Sequence, residues 1–299
     1  MHAIAGKTKL LGVVGYPVEH SLSPTMHNAA IAQMGLDYVY LPFPVNPDDL
    51  ANAVDGFAAI GLRGFNLTIP HKQNIMPLLS DISDVAQAVG AVNTVWRTEN
   101  GWSGTNTDVA GFLAPLRNRQ QDWSQSVATI LGYGGAARAV VAGCDQLGCA
   151  EICVLGRSPD KRRAFQQSWA QSSLASKLRL HPWSALPDLL PKTNLLVNAT
   201  PVGMHPKVEA SPLSAAAQEQ LMAMPANAIA YDLIYTPSPT QFLQQAQDRG
   251  AIPLRGGYAN AIDGLEMLVQ QGAAALEIWL QQSPPVDVMR QSLKQALGL

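Results

Sequence analysis

The sequence predicts an α/β protein with two domains, each built on a mainly parallel β-sheet. Strand-like and helix-like segments alternate over the first hundred residues, which is typical of a parallel sheet. A glycine-rich turn then joins an apolar run to an apolar helical stretch at residues 127–145. Further apolar runs follow this turn, as the strands of a second, doubly wound sheet would.

The N-terminal half is predicted to begin with the strand Lys9–Gly15 and a helix over residues 23–36. Ser23 suits the N-cap of that helix and Pro24 its first position, so its start is well specified. The elements that follow are predicted as a strand at 38–43, a helix at 46–60, a strand at 64–68, and a hairpin of strands at 92–97 and 102–104.

The second half is predicted to contribute six strands, at residues 127–131, 151–155, 178–181, 194–198, 228–233 and 252–255. A helix over 261–279 follows, and it is apolar almost all round, which indicates burial between layers. We expect this helix to return to the first domain. The expected division is residues 1–107 plus 264–299 for the first domain and 108–263 for the second.

The glycine-rich turn indicates a bound dinucleotide. The residues expected to line the pyrophosphate are Gly132, Tyr133, Gly134, Gly135 and Ala136. Glycines allow a tight turn and a close approach of backbone N–H groups, and the helix that follows directs its positive dipole end at the phosphates. Such turns also join strands to helices in domains that bind nothing. The apolar strand before it and the apolar helix after it favour a Rossmann domain.

The next strand ends in Gly156, Arg157 and Ser158, about 20 residues after the glycines, where an NAD-binding domain carries an acidic residue for the ribose 2′-hydroxyl. Arg157 instead offers a guanidinium to a 2′-phosphate, in a charge-assisted bond worth roughly 1.5–3 kcal/mol. The sequence therefore predicts NADP as the cofactor. The alternative interpretation is a solvated charge cluster at the start of a helix.

Composition excludes several classes of protein. The chain has 299 residues, of which 47% are hydrophobic and 14% charged, which is ordinary for a soluble globular protein. The net charge of −2 argues against a nucleic-acid partner, and no apolar stretch is long enough to span a membrane. The N-terminus lacks the pattern of a secretion signal, so we expect a cytoplasmic protein. The sequence leaves the oligomeric state open, and a homodimer is one alternative.

The cysteines and histidines predict no metal site. Cys144, Cys149 and Cys153 lie close together without CxxC spacing, and they are interpreted as small buried hydrophobes. The six histidines are scattered, and none stands at i, i+4 with a second ligand.

Polar residues at the ends of elements in the N-terminal half predict a site for a small polyhydroxylated anion. Ser21 and Ser23 offer hydroxyls and free N–H groups at a helix start, which suit a carboxylate. Capping alone would explain Ser23 but not Ser21. Lys72 follows a strand that Pro70 ends, and it is expected at the carboxyl edge of the sheet, where ligands bind in open α/β folds. A surface charge is the alternative for Lys72.

Three further residues carry chemistry that could belong to this site. Asp108 could act there or only stabilise the first turn of its helix, and Asn93 could equally belong to a turn. Gln271 falls in an apolar helical row with Met267 and Ala275, so its amide must find partners. Ligand hydroxyls or buried backbone groups could both supply them.

Eight segments stand in one order along the chain, among them Gly-Tyr-Pro-Val-Glu-His-Ser-Leu-Ser-Pro-Thr-Met-His-Asn at 15–28 and Gly-Phe-Asn-Leu-Thr-Ile-Pro-His-Lys at 64–72. The other six lie at 90–94, 104–108, 132–139, 198–204, 231–235 and 263–271. Together they resemble the shikimate dehydrogenase family over nearly the whole chain. Departures from the family pattern are modest: Tyr133 stands where a small residue is usual, His71 where an aromatic is common, and Pro201 where serine is frequent.

The resemblance implies a role for each matching residue. Lys72 and Asp108 would be the catalytic pair. Residues implied in substrate binding are Ser21 and Ser23 for the carboxylate, with Thr68, Asn93, Asp108, Tyr235 and Gln271 at the ring or its hydroxyls. Residues implied along the cofactor, besides the turn at 132–136 and the segment 156–158, are Asn198, Thr200, Leu233 and Gly264.

The implied reaction is the NADP-dependent interconversion of 3-dehydroshikimate and shikimate, a step toward chorismate and the aromatic amino acids, in which Lys72 and Asp108 would exchange the proton. Three alternatives stay open. One is a relative that also accepts quinate or relaxes its cofactor choice, although serine at both 21 and 23 favours shikimate. The others are a folate- or tRNA-linked reductase on a similar plan, and a non-catalytic NADPH-binding protein.

Overall fold

A computed structural model of the chain describes residues 4–117, 119, 121–214, 217–248 and 261–299. The chain divides into two compact units. The first comprises Met1–Gly111 and Glu266–Leu299, and the second comprises Phe112–Leu265. The chain therefore passes from one unit to the other inside one helix and at the start of another.

The first unit is built on a six-stranded sheet. Its elements are β1 (Lys9–Gly15), α1 (Ser23–Gln33), β2 (Tyr38–Pro44), α2 (Leu50–Ala59), β3 (Gly64–Leu67), β4 (Asp81–Ile82), α3 (Asp84–Val89), β5 (Thr94–Thr98), β6 (Gly101–Thr105) and the start of α4 (Asp108–Arg117). Two helices near the end of the chain, α10 (Leu265–Leu280) and α11 (Val286–Leu297), complete it.

Strands of the first sheet lie in the order β2-β1-β3-β5-β6-β4. β1 runs parallel to β2 and β3, whereas β5 and β6 form the antiparallel hairpin that the sequence predicts. Apolar side chains on one face pack with α2 around Phe57, Phe65 and Trp102. The parallel strands β1 and β3 therefore end side by side at one edge of a well-packed sheet.

The start of α1 differs from the prediction. Leu22 occupies the N-cap position and Ser23 is already helical, so Ser23 cannot cap the helix with its own side chain. The hydroxyl of Ser21 instead accepts the N–H of Ser23 at 3.3 Å. The predicted N-cap role of Ser23 is wrong because the helix begins one residue earlier than the Ser-Pro pattern indicates.

The second unit is built on an all-parallel sheet. Its elements are β7 (Val127–Leu131), α5 (Gly135–Gln146), β8 (Glu151–Gly156), α6 (Pro159–Ser168), β9 (Leu178–Pro182), α7 (Leu186–Leu189), β10 (Leu195–Asn198), α8 (Ala217–Met222), β11 (Ile229–Asp232), α9 (Gln241–Asp248) and β12 (Ala261–Ile262). The strand order is β12-β11-β10-β7-β8-β9, which is the doubly wound arrangement that the sequence predicts.

Near the end of this unit the sequence predicts a strand and then a helix. The predicted strand at 252–255 lies outside the described residues. The helix predicted over 261–279 begins later, at Leu265, because Ala261 and Ile262 pair with β11 as a short strand. Along the described ranges, none of the helices is both long and apolar enough to cross a lipid bilayer.

The strand order changes direction at β7, whose neighbours are β10 on one side and β8 on the other. The connections that leave such a point open a crevice at the carboxyl ends of the strands, and ligands bind there in doubly wound sheets. The glycine-rich turn follows β7 directly. The fold therefore places this turn where a dinucleotide would bind.

Candidate active site and cofactor turn

The side chains of Lys72 and Asp108 meet in the first unit. Lys72 lies in the loop after β3, and Asp108 begins α4. Lys72 Nζ stands 2.5 Å from Asp108 Oδ2, and the two side chains are only 18% and 7% exposed. A short charge-assisted bond of this kind fixes the ammonium in one direction. The family resemblance implied these two residues as a catalytic pair, although no spacing in the sequence links them.

Asn93 holds the second oxygen of this carboxylate. Its amide N–H donates to Asp108 Oδ1 at 2.8 Å and to Gln271 Oε1 at 3.3 Å. Its own oxygen accepts the backbone N–H of Thr107 at 2.7 Å, so the amide is oriented by the start of α4. Asp108 therefore has one oxygen for the lysine and one for an amide, and its plane is fixed.

Gln271 reaches this cluster from α10. Its amide N–H donates to the backbone carbonyl of Leu268 at 2.9 Å, and it is 8% exposed. α4 and α10 approach closely at Gly111, where a Cβ would lie 2.6 Å from the Met267 carbonyl oxygen and 2.9 Å from the Cβ of Gln271. The polar residue on an apolar helical face has thus found both a side-chain and a backbone partner.

A second layer of buried polar groups supports the cluster, and the sequence analysis did not single it out. The hydroxyl of Thr94 accepts the amide N–H of Asn66 at 3.0 Å and donates to the side-chain oxygen of Asn93 at 3.0 Å. The hydroxyl of Tyr40 donates to Asn66 at 2.7 Å. An asparagine inside the apolar strand β3 was the available signal, because a buried amide requires partners.

The remaining predicted substrate residues of this unit lie near the carboxyl ends of β1 and β3. Ser21 and Ser23 belong to the loop after β1 and the start of α1, and Thr68 follows β3 directly. The N–H of Thr68 donates to the Val14 carbonyl at 2.9 Å, which ties the two strand ends together. Ser23 is 8% exposed, whereas Ser21 and Thr68 are half-buried. These hydroxyls therefore line the same sheet edge from which Lys72 extends.

His71, at the position where the family commonly has an aromatic residue, is a structural group. Its Nε2 lies 2.8 Å from the Val45 carbonyl, and the residue is fully buried. Burial lowers the pKa of His71, although the carbonyl acts in the opposite direction. A neutral imidazole that donates to Val45 fits this position and anchors the loop that carries Lys72.

In the second unit the glycine-rich turn has a tight backbone that requires glycine at its first position. Gly132 has a φ of +117°, and a Cβ there would lie 3.0 Å from the Ala199 carbonyl oxygen. Gly134 has open space where a Cβ would stand. No side chain among those described caps the start of α5 at Gly135, so its first N–H groups are available to an anion.

The Tyr133 side chain, which extends from this turn, packs against Gly156 at the end of β8. A Cβ on Gly156 would lie 2.1 Å from the Tyr133 ring, so the glycine makes room for the ring. The ring also packs against Phe165, and the hydroxyl donates to the His181 carbonyl at 2.9 Å. Burial raises the pKa of the hydroxyl, and nearby Arg162 opposes this. The unusual side chain thus packs over Gly156 at the end of β8 and is hydrogen-bonded to β9.

Arg157 and Ser158 follow β8. The Arg157 guanidinium lies 5.2 Å from the centre of the Trp183 ring, in a cation–π contact that holds an otherwise exposed side chain. The Ser158 hydroxyl accepts the N–H of Lys161 at 3.3 Å and caps α6. Arg163, farther along α6, pairs with Asp160. The guanidinium of Arg157 is therefore held at the end of β8 by its contact with Trp183.

Asn198 organises the neighbouring strand end. Its side-chain oxygen accepts the hydroxyl of Thr200 at 2.7 Å, and its amide N–H donates to Asp232 Oδ1 at 3.0 Å. Burial raises the pKa of Asp232 to about 6, while the hydrogen bonds from Thr240, Ile234 and Asn198 act against that rise. The carboxyl ends of β10 and β11 are thus joined by one buried polar network.

Leu233 and Tyr235 follow β11, and Gly264 follows β12 in the same unit. A Cβ on Gly264 would lie 2.2 Å from the Leu233 carbonyl oxygen, so only glycine permits this approach. The N–H of Gly264 donates to the Ile234 carbonyl at 3.1 Å. Tyr235 is half-buried. Of the predicted substrate residues, Tyr235 is the one that belongs to the second unit.

Comparison with known proteins identifies the family. The model described as "Shikimate dehydrogenase substrate binding domain" matches residues 13–95, and "Shikimate 5'-dehydrogenase C-terminal domain" matches residues 264–294. A protein of Trichormus variabilis named shikimate dehydrogenase (NADP(+)) is 63% identical over 298 residues, which cover 99% of each chain. The chain belongs to the shikimate dehydrogenase family. The resemblance stated from the sequence is therefore confirmed.

Solved structures of the shikimate dehydrogenase family and its relatives confirm the predicted fold. The shikimate 5-dehydrogenase of Thermus thermophilus, in complex with NADP(H) and shikimate, superimposes with a TM-score of 0.80 at 34% identity, covering 97% of this chain and 100% of that one. The ligand-free 5-ketofructose reductase of a Gluconobacter species has a TM-score of 0.81 at 31% identity, covering 98% and 100%. The same fold thus serves reductases with different substrates.

Proposed function

We propose that this protein is an NADP-dependent shikimate dehydrogenase that interconverts 3-dehydroshikimate and shikimate on the route to the aromatic amino acids. The observation that carries the proposal is the buried cluster in which Lys72, Asp108, Asn93 and Gln271 are hydrogen-bonded to one another. Two relatives named shikimate dehydrogenase (NADP(+)) are 63% identical over almost the whole chain, which supports the choice of reaction.

The first unit is proposed to bind the substrate. The hydroxyls of Ser21 and Ser23 would hold its carboxylate at the start of α1, where the helix dipole favours an anion. Thr68, Asn93 and Gln271 would meet ring hydroxyls from the carboxyl edge of the sheet. Tyr235 is assigned to the substrate by the family resemblance alone.

Lys72 is proposed to exchange the proton at the reacting oxygen. In the direction of reduction its ammonium donates a proton to the ketone oxygen as negative charge develops there. Asp108 fixes the ammonium at 2.5 Å and balances its charge until the proton is transferred, which leaves a neutral amine on Lys72. Asn93 keeps the carboxylate in the plane that this contact needs. Lys72 and Asp108 thus act together as the proton donor and its support.

The second unit is proposed to bind NADP. When bound, NADPH supplies the hydride that reduces the substrate ketone. The turn from Gly132 to Ala136 and the uncapped start of α5 would hold the pyrophosphate, and Arg157 and Ser158 the 2′-phosphate. The other residues assigned to the cofactor are Asn198, Thr200, Leu233 and Gly264. A cytoplasmic location is part of the same proposal.

A steady-state assay tests the proposal directly. Purified protein is incubated with shikimate, quinate or reduced 5-ketofructose, each with NADP and with NAD, and cofactor reduction is followed by absorbance. We expect the highest kcat/KM for shikimate with NADP. A higher kcat/KM for either other substrate would overturn the substrate assignment, and a preference for NAD would overturn the cofactor assignment.

A further inference from the structure

Three side chains of types that bind metal ions converge on one face of the second sheet, and none of the three is assigned to catalysis. Glu151 and Cys153 stand two residues apart on β8, so their side chains share a face. His181 on β9 pairs with Leu155, two residues further along β8, and therefore points to the same face. One ligand atom from each of the three side chains lies within 4.8 Å of the others.

The groups are bonded in a way that leaves one donor atom unused. The Cys153 thiol donates to Glu151 Oε1 at 3.1 Å, and Lys192 Nζ lies 3.0 and 3.2 Å from the two oxygens of the same carboxylate. His181 Nε2 is buried and has no hydrogen-bond partner among the described residues. A buried imidazole nitrogen without a partner costs free energy unless something binds it.

The chemistry of the three donors selects the metal. A thiolate, an imidazole and a carboxylate suit Zn²⁺, which binds them at about 2.0–2.3 Å in a tetrahedron. Those bond lengths place neighbouring ligand atoms roughly 3.3–3.6 Å apart, so each ligand has to move by about 1 Å or less. Glu151 and His181 are half-buried rather than enclosed, which leaves a path for the ion and for a water as fourth ligand.

We propose that Glu151, Cys153 and His181 form a Zn²⁺ site on the second unit. On binding, the S–H bond of Cys153 breaks, its proton passes to solvent, and a Zn–S bond forms. Lys192 leaves the carboxylate, since its ammonium and the ion compete for the same oxygens. Arg179, which pairs with Cys153 across the two strands, and Arg162 are further cations near this site.

Occupancy of this site is coupled to the proposed cofactor segment, and this part of the inference depends on the proposed function. The His181 carbonyl accepts the hydroxyl of Tyr133, and Trp183 two residues later supports the guanidinium of Arg157. A shift of His181 toward the ion moves both contacts. Zinc is therefore expected to raise the KM for NADP and to leave the KM for shikimate unchanged.

No motif in the sequence predicts this site, because its ligands have no recognisable spacing. Glu151 and Cys153 are separated by 28 or more positions from His181. Only the parallel register of β8 and β9 brings them together.

Equilibrium dialysis against Zn²⁺, with metal counted by mass spectrometry, tests binding without reference to activity. Chelator-treated wild-type protein is compared with His181→Gln and Cys153→Ser. Cys144→Ser is the matched control, because Cys144 is a buried free thiol that does not belong to the ligand cluster. We expect one Zn²⁺ per wild-type chain, weakened by about tenfold or more in both ligand variants and unchanged in the control. Lys192→Met should bind more tightly, because it removes the competing cation.

A second probe and a kinetic arm complete the test. Co²⁺ in place of Zn²⁺ should give a thiolate-to-cobalt charge-transfer band that Cys153→Ser abolishes. Absence of saturable zinc binding, or binding that His181→Gln leaves unchanged, overturns the site. If zinc binds but the KM for NADP does not change, the coupling is wrong. If no dehydrogenase activity is found, the proposed function fails while dialysis still decides the site.

Discussion

Arg157 should decide the preference for NADP over NAD. Its guanidinium lies at the end of β8 and is held 5.2 Å from the Trp183 ring, so it is oriented before any cofactor arrives. A charge-assisted bond to a 2′-phosphate is worth roughly 1.5–3 kcal/mol. At 1.4 kcal/mol per decade, Arg157→Gln should raise the KM for NADP by about 10- to 100-fold. The KM for NAD, which has no 2′-phosphate, should stay the same.

The assay is steady-state oxidation of shikimate with each cofactor in turn. Arg163→Gln is the matched control, because Arg163 lies on the helix that follows Arg157 and is paired with Asp160. Trp183→Leu should produce a smaller loss with NADP, since it removes only the support of the guanidinium. An unchanged ratio of NADP to NAD in Arg157→Gln would refute the reasoning, and an equal loss with both cofactors would assign Arg157 to folding instead.

Three further predictions concern the supporting structure. Gly132→Ala places a side chain at a φ of +117° near the Ala199 carbonyl. The free energy of unfolding, measured by thermal denaturation, should fall by about 1–3 kcal/mol, and NADP binding should weaken in a fluorescence titration. Thr94→Val removes a buried hydroxyl bonded to Asn93, so chemical denaturation should show a loss of about 1–3 kcal/mol, together with a lower kcat. Burial raises the pKa of Asp232 to about 6. Protonated Asp232 therefore contributes fully to the free energy of unfolding below about pH 4, and this contribution is lost as the pH rises through 6. A rise of about two units corresponds to about 3 kcal/mol, and the difference in unfolding free energy between wild type and Asp232→Asn should change by that amount from pH 4 to pH 7.

Much of the fold could be predicted because local patterns and tertiary structure agree. The strand Lys9–Gly15 and the strand Val127–Leu131 have the predicted bounds, since apolar runs between polar turns leave little choice. The start of α1 was misjudged because the Ser-Pro pattern places Ser23 at the N-cap, whereas the backbone places Leu22 there. The short strand β12 was predicted as helix because two residues carry no periodicity of their own.

The candidate site was predictable as a set of residues but not as an arrangement. Lys72 and Asp108 are 36 positions apart, and their contact depends on how β3 and α4 are placed. Gln271 stood out because an amide on an apolar face must find partners, and its partners proved to be Asn93 and the backbone of its own helix. The hydroxyl of Thr94 gave no such signal, since threonine is common in β-strands.

Replacement of Lys72 tests the central claim most directly. In Lys72→Ala, kcat for shikimate oxidation should fall by about 10²–10⁴-fold, as expected when a positioned acid–base group is removed. The Kd for shikimate, measured by calorimetry, should change little, and the exposed Lys9→Ala should behave as wild type in both measurements. A Lys72→Ala enzyme that keeps most of its kcat would contradict the account, because the proton would then have another donor.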